Sequence, residues 1–311
     1  MHCLGLDIGF GEIKAVYRDE TGEIQYIICP SIYARARRNP LASSDNIITV
    51  AGQDYYVGEE ARKEITQISP ADFKDILECT AIFAAFVKQE MGVSENITAV
   101  GSVPPDDWQR MNEYRRQLEQ NFGATSAVAP QGLGAIETVR DRISIGGRTL
   151  VLDIGYNTVD HLVVDRREDG ELYPVDGGTW RDSGITLLVD IFQSEIGDTE
   201  LSKQRFHQLK EFLRDGKASL HRGGDIDLSG PKRRAIEHYR EAISSRIKEE
   251  LSGKAKLFDT MVCCGGGMHY MGEMDGFFGG LPVIMAPRVE FANAIGQMLI
   301  AEKYETEASR I

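Results

Sequence analysis

An apolar run that ends in Asp-x-Gly occurs twice in this chain, as LGLDIGFGEIKAV at residues 4–16 and as LVLDIGYNTVDHLVV at residues 150–164. Each copy puts a carboxylate at the end of a strand-like run and bare backbone in the turn that follows. A repeat of this kind constrains the chain to two similar halves, each opening on a strand, a tight turn and a second strand. The pairing also has a chemistry. A nucleotide's phosphates need close backbone N–H donors, room that a side chain would fill, and a cation held without bare carboxylates pressed on the phosphate oxygens. In the first copy Gly9 and Gly11 give that approach, Phe10 lies between them, Lys14 can reach back as a point charge, and Asp7 can hold Mg2+ through its water shell. Asp153 and Gly155 repeat the start, followed by Tyr156, with Asn157 and Thr158 as side-chain or turn donors. Either copy alone reads equally as a strand and a glycine hairpin, because short motifs match by chance.

A third segment, VCCGGGMHYM at residues 262–271, is an apolar strand running into Gly265, Gly266 and Gly267, then Met268. Backbone without Cβ atoms can press flat against a purine or ribose. Two rival loops are excluded. A dinucleotide fingerprint would put a third glycine where Lys14 stands, and its turn would open a helix rather than the strand-like IKAVY. A Walker loop fails because the G-x-x-x-x-G-K-[ST] pattern does not occur.

The rest of the chain fits a large α/β protein. At 311 residues and 42% hydrophobic it can bury a sizeable core, and its net charge of -13 argues against direct attraction to nucleic acid or anionic lipid. No stretch approaches the roughly 20 apolar residues of a membrane span, so the cytoplasm is the expected location. The five cysteines read as reduced core residues, adjacent Cys263 and Cys264 pointing to opposite faces of a strand.

Composition predicts a three-strand meander over His2–Asp7, Ile13–Tyr17 and Ile24–Cys29, a polar stretch with ARARRNP and SSDN, a hairpin at Gly52–Asp54 and a helix at Glu59–Ile65. Helical spacing covers Asp72–Met91, with Gly92 as its stop, and Trp108–Phe122. ITAVGSV reads as a buried strand stopped by two prolines, and a short strand at Ser126–Ala129 leads to Pro130, which suits a first helical turn. A long charged helical region over Leu201–Ser252 and a closing helix over Pro287–Tyr304 complete the reading.

The three glycine-bearing segments, in this order, resemble the phosphate-1, phosphate-2 and adenosine motifs of the actin, Hsp70 and sugar-kinase superfamily. Asp7, Gly9, Gly11 and Lys14 look like the actin branch, and APQGLGAIETV looks like actin-like plasmid-segregation proteins of the ParM or StbA type. The resemblance implies an actin-like α/β fold of two related RNase H-like domains enclosing ATP and Mg2+. It places the domains at 1–148, with a small insertion at about 31–70, and 149–286, with a helical subdomain at about 190–258. Residues 287–311 would form a C-terminal helix packing back on the first domain.

By the same resemblance Gln131 orients the attacking water, Asp153 and Asp7 assist through the water shell of the metal, and Gly184 approaches the nucleotide, with Asp182 and Thr186 beside it. Gln131 also reads as an ordinary polar residue of a first helical turn, and Glu137 falls on a different helical face. Lys210 and Glu211 are candidates for contact with the base, although a charged helix there also reads as a solvated face. The expected activity is ATP hydrolysis coupled to head-to-tail filament assembly, with DNA reached only through an adaptor protein. A small-molecule kinase and a weakly hydrolysing scaffold are the alternatives.

Overall fold

The structure, a computed structural model, describes residues 2–36, 47–93, 97–123, 125–220, 224–272 and 280–308. The first Asp-x-Gly unit folds as β1 (His2–Ile8) and β2 (Glu12–Arg18), and β3 (Ile24–Pro30) completes the meander. β4 (Tyr33–Arg35), β5 (Ile48–Val50) and β6 (Gln53–Val57) form a separate three-stranded sheet, followed by α1 (Glu59–Arg62). The expected hairpin turn falls at Ala51 and Gly52, both with positive φ, while the polar stretch falls mostly outside the described residues.

α2 (Phe73–Met91) forms where the spacing predicts. The Asp72 carboxylate accepts from the Asp75 N–H at its start, and Gly92 takes the left-handed conformation at its end. β7 (Ile97–Val103) stops at the two prolines. The expected helix at Trp108 begins instead as a 3-10 turn over Pro105–Arg110 and becomes α3 (Met111–Asn121). β8 (Ala127–Pro130) includes Pro130, which pairs with Val103 at the sheet edge rather than opening a helix. Only after a left-handed Gly132 does α4 (Leu133–Glu137) start.

The second unit is β9 (Arg148–Ile154) and β10 (Thr158–Arg166), extended by β11 (Leu172–Arg181) and then α5 (Ile185–Ile196). The region read as one charged helical stretch is broken. α6 (Phe206–Asp215) is followed by a hairpin of β12 (Lys217–Leu220) and β13 (Gly224–Asp227), and helix resumes as α7 (Ser229–Leu251). β14 (Thr260–Cys264), α8 (Met268–Met271), β15 (Val283–Met285) and α9 (Ala292–Ala308) finish the chain, α9 starting later than the expected Pro287.

Two five-stranded mixed sheets result, in the orders β3-β2-β1-β7-β8 and β11-β10-β9-β14-β15. The meander plus parallel strand recurs, with β1–β7 and β9–β14 both parallel. One face of the first sheet packs on α2 and α3 through Phe83, Tyr114 and Leu118. Its other face carries α9 through Val16, Ala294 and Met298. The second sheet packs on α5 to α7 through Leu188, Phe192 and Tyr239, and on its other face Ile136 of α4 meets Val151 and Val262. Cys263 and Cys264 enter these two opposite cores, as alternation along a strand requires. α4 and α9 pack on each other between the sheets. The ends of β1, β9 and β14 therefore meet at one crevice.

Candidate functional site

The two Asp-x-Gly turns close in the same way. The Gly9 N–H donates to the Glu12 carbonyl at 3.0 Å, and the Gly155 N–H donates to the Thr158 carbonyl at 2.9 Å. Ser31 braces the first turn, its hydroxyl donating to the Gly9 carbonyl at 2.6 Å. α5 braces the second, the Ile185 and Thr186 N–H groups donating to the carbonyls of Gly155 and Tyr156. The turns face each other: a Cβ on Gly11 would lie 2.4 Å from the Tyr156 ring, a distance only glycine permits. The triple glycine closes the third side. Gly265, at φ 89°, sits so close to the end of β9 that a Cβ there would lie 2.2 Å from Asp153 Oδ1.

These segments enclose a cavity of about 410 Å3, within the range of small-molecule sites. Asp7, Gly9, Phe10, Gly11, Lys14, Gln131, Asp153, Gly155, Tyr156, Thr158, Lys210, Gly265, Gly266 and Gly267 line it. A wider groove of about 750 Å3 beside the β12–β13 hairpin is a shallow surface whose Lys217 and Asp225 already pair at 2.6 Å.

Asp7 lies opposite Lys14 across the β1–β2 ladder. Burial pushes its carboxyl up to about 6; the Lys14 ammonium pulls it back, while Asp153 and Glu12 add to the rise. Burial also raises Asp153, against the amide hydrogen bonds from Asn293 at 2.6 Å and Gln131 at 3.2 Å. Burial raises Asp160 to about 7, helped by Asp153, although the Thr158 and Thr179 hydroxyls donate to it. For Glu12, burial favours the neutral acid, yet the Lys210 and Lys14 ammoniums hold it below its ordinary value.

Two buried carboxylates in one cavity, with Asp153 raising the proton affinity of Asp7, also favour a cation. Among the described residues no group of three or more His, Cys, Asp or Glu side chains could cage a metal directly. Asp7 and Asp153 therefore suit an ion that keeps most of its water shell, as Mg2+ does.

Several expected contacts fall elsewhere. Gly184 lies behind the second turn, where a Cβ would come within 2.5 Å of the Tyr156 carbonyl, so it seats α5 rather than lining the cavity. Asn157 anchors the same joint, its carbonyl accepting from Ser183 N–H and its side-chain oxygen from the Thr186 hydroxyl. Asp182 takes a left-handed φ of 55° just before. Met268 is buried in the core of the second sheet, and Glu211 is exposed on α6. Gln131 stands in the turn before α4 rather than in a first helical turn, its N–H donating to the Val103 carbonyl at 2.9 Å. Glu137 is bound to Arg140 and Lys303.

Sequence reasoning passed over Glu12, Ser102, His269, Tyr270 and Asn293, all of which line the cavity. Glu12 was visible as a carboxylate inside the first motif. Asn293 had only one signal, a polar amide within the apolar run FANAIGQMLI.

A family model for actin-like proteins, N-terminal domain, matches residues 5–134, and a model for archaeal actin homologue MreB-like, C-terminal, matches residues 151–274. No curated protein matches the chain in sequence. Among solved structures, an archaeal actin homologue, Ta0583, in complex with ADP is similar at 19% identity and a TM-score of 0.79, over 97% of this chain and 100% of that one. A ParM in a 15-stranded filament from Clostridium botulinum is similar at 19% identity and a TM-score of 0.74, over 97% and 99%. Bacillus thuringiensis ParM with AMPPNP is similar at 14% identity and a TM-score of 0.66, over 98% and 99%. The fold is the two-lobed actin-like fold, and the chain belongs to the actin-like proteins.

Proposed function

We propose that this protein is an ATPase that takes Mg·ATP between its lobes, assembles head to tail into a polar filament in the cytoplasm, and moves plasmid DNA through a DNA-binding adaptor. The single observation that carries the reading is the opposition of the two turns across one cavity, Gly11 against Tyr156, with Asp7 and Asp153 both lining it. Similar folds bearing ADP or AMPPNP and a filament of ParM support it.

The turn amides and Lys14 bind the phosphates. Asp7 and Asp153 hold the metal's water shell, and bound Mg2+ supplies charge neutralisation at the phosphates. The Gln131 Nε2 donates to Asp153, which leaves its Oε1 free to accept from a water and orient it. An amide takes up no proton near neutral pH, so positioning and electrostatics drive a slow turnover. A heterologous contact that does not close propagates into a filament.

Sedimentation and electron microscopy with Mg·ATP, together with phosphate release, test the proposal. Gln131→Ala is expected to retain ATP binding, slow hydrolysis about a hundredfold and lengthen filament life, whereas Asp7→Ala weakens metal-dependent binding. Wild-type protein that neither pellets nor forms filaments removes the assembly half. Normal hydrolysis in both variants removes the assigned roles.

A further inference from the structure

Asn293 lies on α9, the helix that covers the first sheet, yet its side chain reaches the end of the second sheet. Its Oδ1 accepts from the Gly132 N–H at 3.0 Å, and its Nδ2 donates to Asp153 Oδ2 at 2.6 Å. The residue is 6% exposed. A backbone N–H can only donate, so the amide oxygen must face Gly132 and the amide nitrogen must face the carboxylate. Gln131, the neighbour of Gly132, donates to the same Asp153 oxygen. One amide thus fixes both the carboxylate and the peptide that carries the glutamine.

α9 is itself held closely. A Cβ on Gly5 of β1 would lie 1.8 Å from the Ala294 carbonyl oxygen, and one on Gly296 would lie 1.8 Å from the Gly134 carbonyl oxygen. The helix therefore touches β1 on one side and α4 on the other with no side chain between, and Asn293 projects from that contact to Asp153. Asn293 thus joins Asp153 and the Gln131–Gly132 peptide to the helix that packs on β1 and α4.

We infer that Asn293 is a positioning residue for the hydrolytic centre, holding Asp153 and the Gln131–Gly132 peptide in register and tying that register to the packing of the two lobes. The inference rests on reading the cavity as a Mg·nucleotide site. An amide is required because the position needs an acceptor and a donor at once. Aspartate would set a second carboxylate against Asp153, and leucine of similar volume offers neither partner.

The test compares ADP affinity with and without Mg2+ by calorimetry in wild type, Asn293→Leu and Asn293→Asp, alongside ATP turnover. The ratio of the two affinities is expected to fall about tenfold in either variant, the size seen when an outer partner of a metal-holding group is lost, and turnover is expected to fall by a similar factor. A purely structural role would shift both affinities together and leave their ratio alone. A wild-type ratio in a folded variant overturns the inference, as does a wild-type protein whose ADP affinity ignores Mg2+. Should Asn293→Leu fail to fold, Asn293→Asp decides. Wild-type protein that binds Mg·ADP but hydrolyses no ATP would remove the turnover reading while the affinity ratio still judges Asn293, and protein that binds no ADP removes both.

Discussion

A methyl group on Gly11 would lie 2.4 Å from two carbons of the Tyr156 ring, and that ring is boxed in, packing edge-on against Phe206 with centroids 5.7 Å apart. Alanine at this position must therefore push the two turns apart. Gly11→Ala is expected to weaken ADP binding about tenfold, roughly 1.4 kcal/mol, and Tyr156→Ala in the same chain should restore part of it by making room. Calorimetry on the single and double variants checks this, and wild-type affinity in Gly11→Ala would show that contact between the turns does not shape the site. That Asp7, Gly9, Gly11, Lys14, Asp153, Gly155 and the triple glycine gather at one cavity was legible in the sequence because each belongs to a motif of about ten residues. Asn293 was not, because its partners Gly132 and Asp153 lie on other elements far away in the chain. Glu211 and Met268 were misplaced for a related reason: adjacency to Lys210 or to the triple glycine says nothing of which side of a helix a residue occupies.

Hairpins and well-capped helices were the legible elements. Asp72 and Gly92 bracket α2 in sequence as they do in space, and alternation sends Cys263 and Cys264 into separate cores. Pro130 misled because its fixed φ suits a first helical turn and an edge strand alike, and β8 is an edge strand, where the missing N–H costs no ladder bond. The β12–β13 hairpin was hidden because its strands are short and its second is exposed throughout, so no apolar alternation marks them. Register within the second sheet also sets a titration. Asp160 pairs with Asp153 on one side and Thr179 on the other, and burial lifts its carboxyl from 3.8 to about 7. A carboxyl that binds its proton more tightly folded than unfolded subtracts stability as pH rises between those two values, by up to about 4 kcal/mol here, and the loss is complete above the upper one. Asp160→Asn keeps a partner for each threonine hydroxyl and cannot ionise. Urea unfolding without nucleotide or divalent metal should find it more stable than wild type at pH 8 and nearly equal at pH 4; the same difference at both values would refute the assignment.

At the scale of the molecule, an ion pair that no local pattern announces joins the two lobes beside the cavity. Glu12 belongs to the first turn and Lys210 to α6, and their charged groups lie 3.3 Å apart. Lys210 also sits 5.3 Å from the centre of the Tyr156 ring, so it is held against the second turn while it pairs with the first. Both partners are about one-third exposed, and solvent screening limits such a pair to at most about 1 kcal/mol. That energy corresponds to roughly a fivefold change in how often the nucleotide-free cleft opens. Amide hydrogen exchange in the Gly9–Gly11 and Gly155–Asn157 turns should therefore quicken by up to about fivefold in Glu12→Gln or Lys210→Met at low salt. The double variant should go no further, since the second substitution removes a charge that has already lost its partner across the cleft. At about 1 M NaCl, where the Debye length is near 3 Å, wild type should exchange as fast as the variants. Additive effects, or a wild-type rate indifferent to salt, would mean that this pair does not govern the opening and that other contacts, such as the α4–α9 packing, set it.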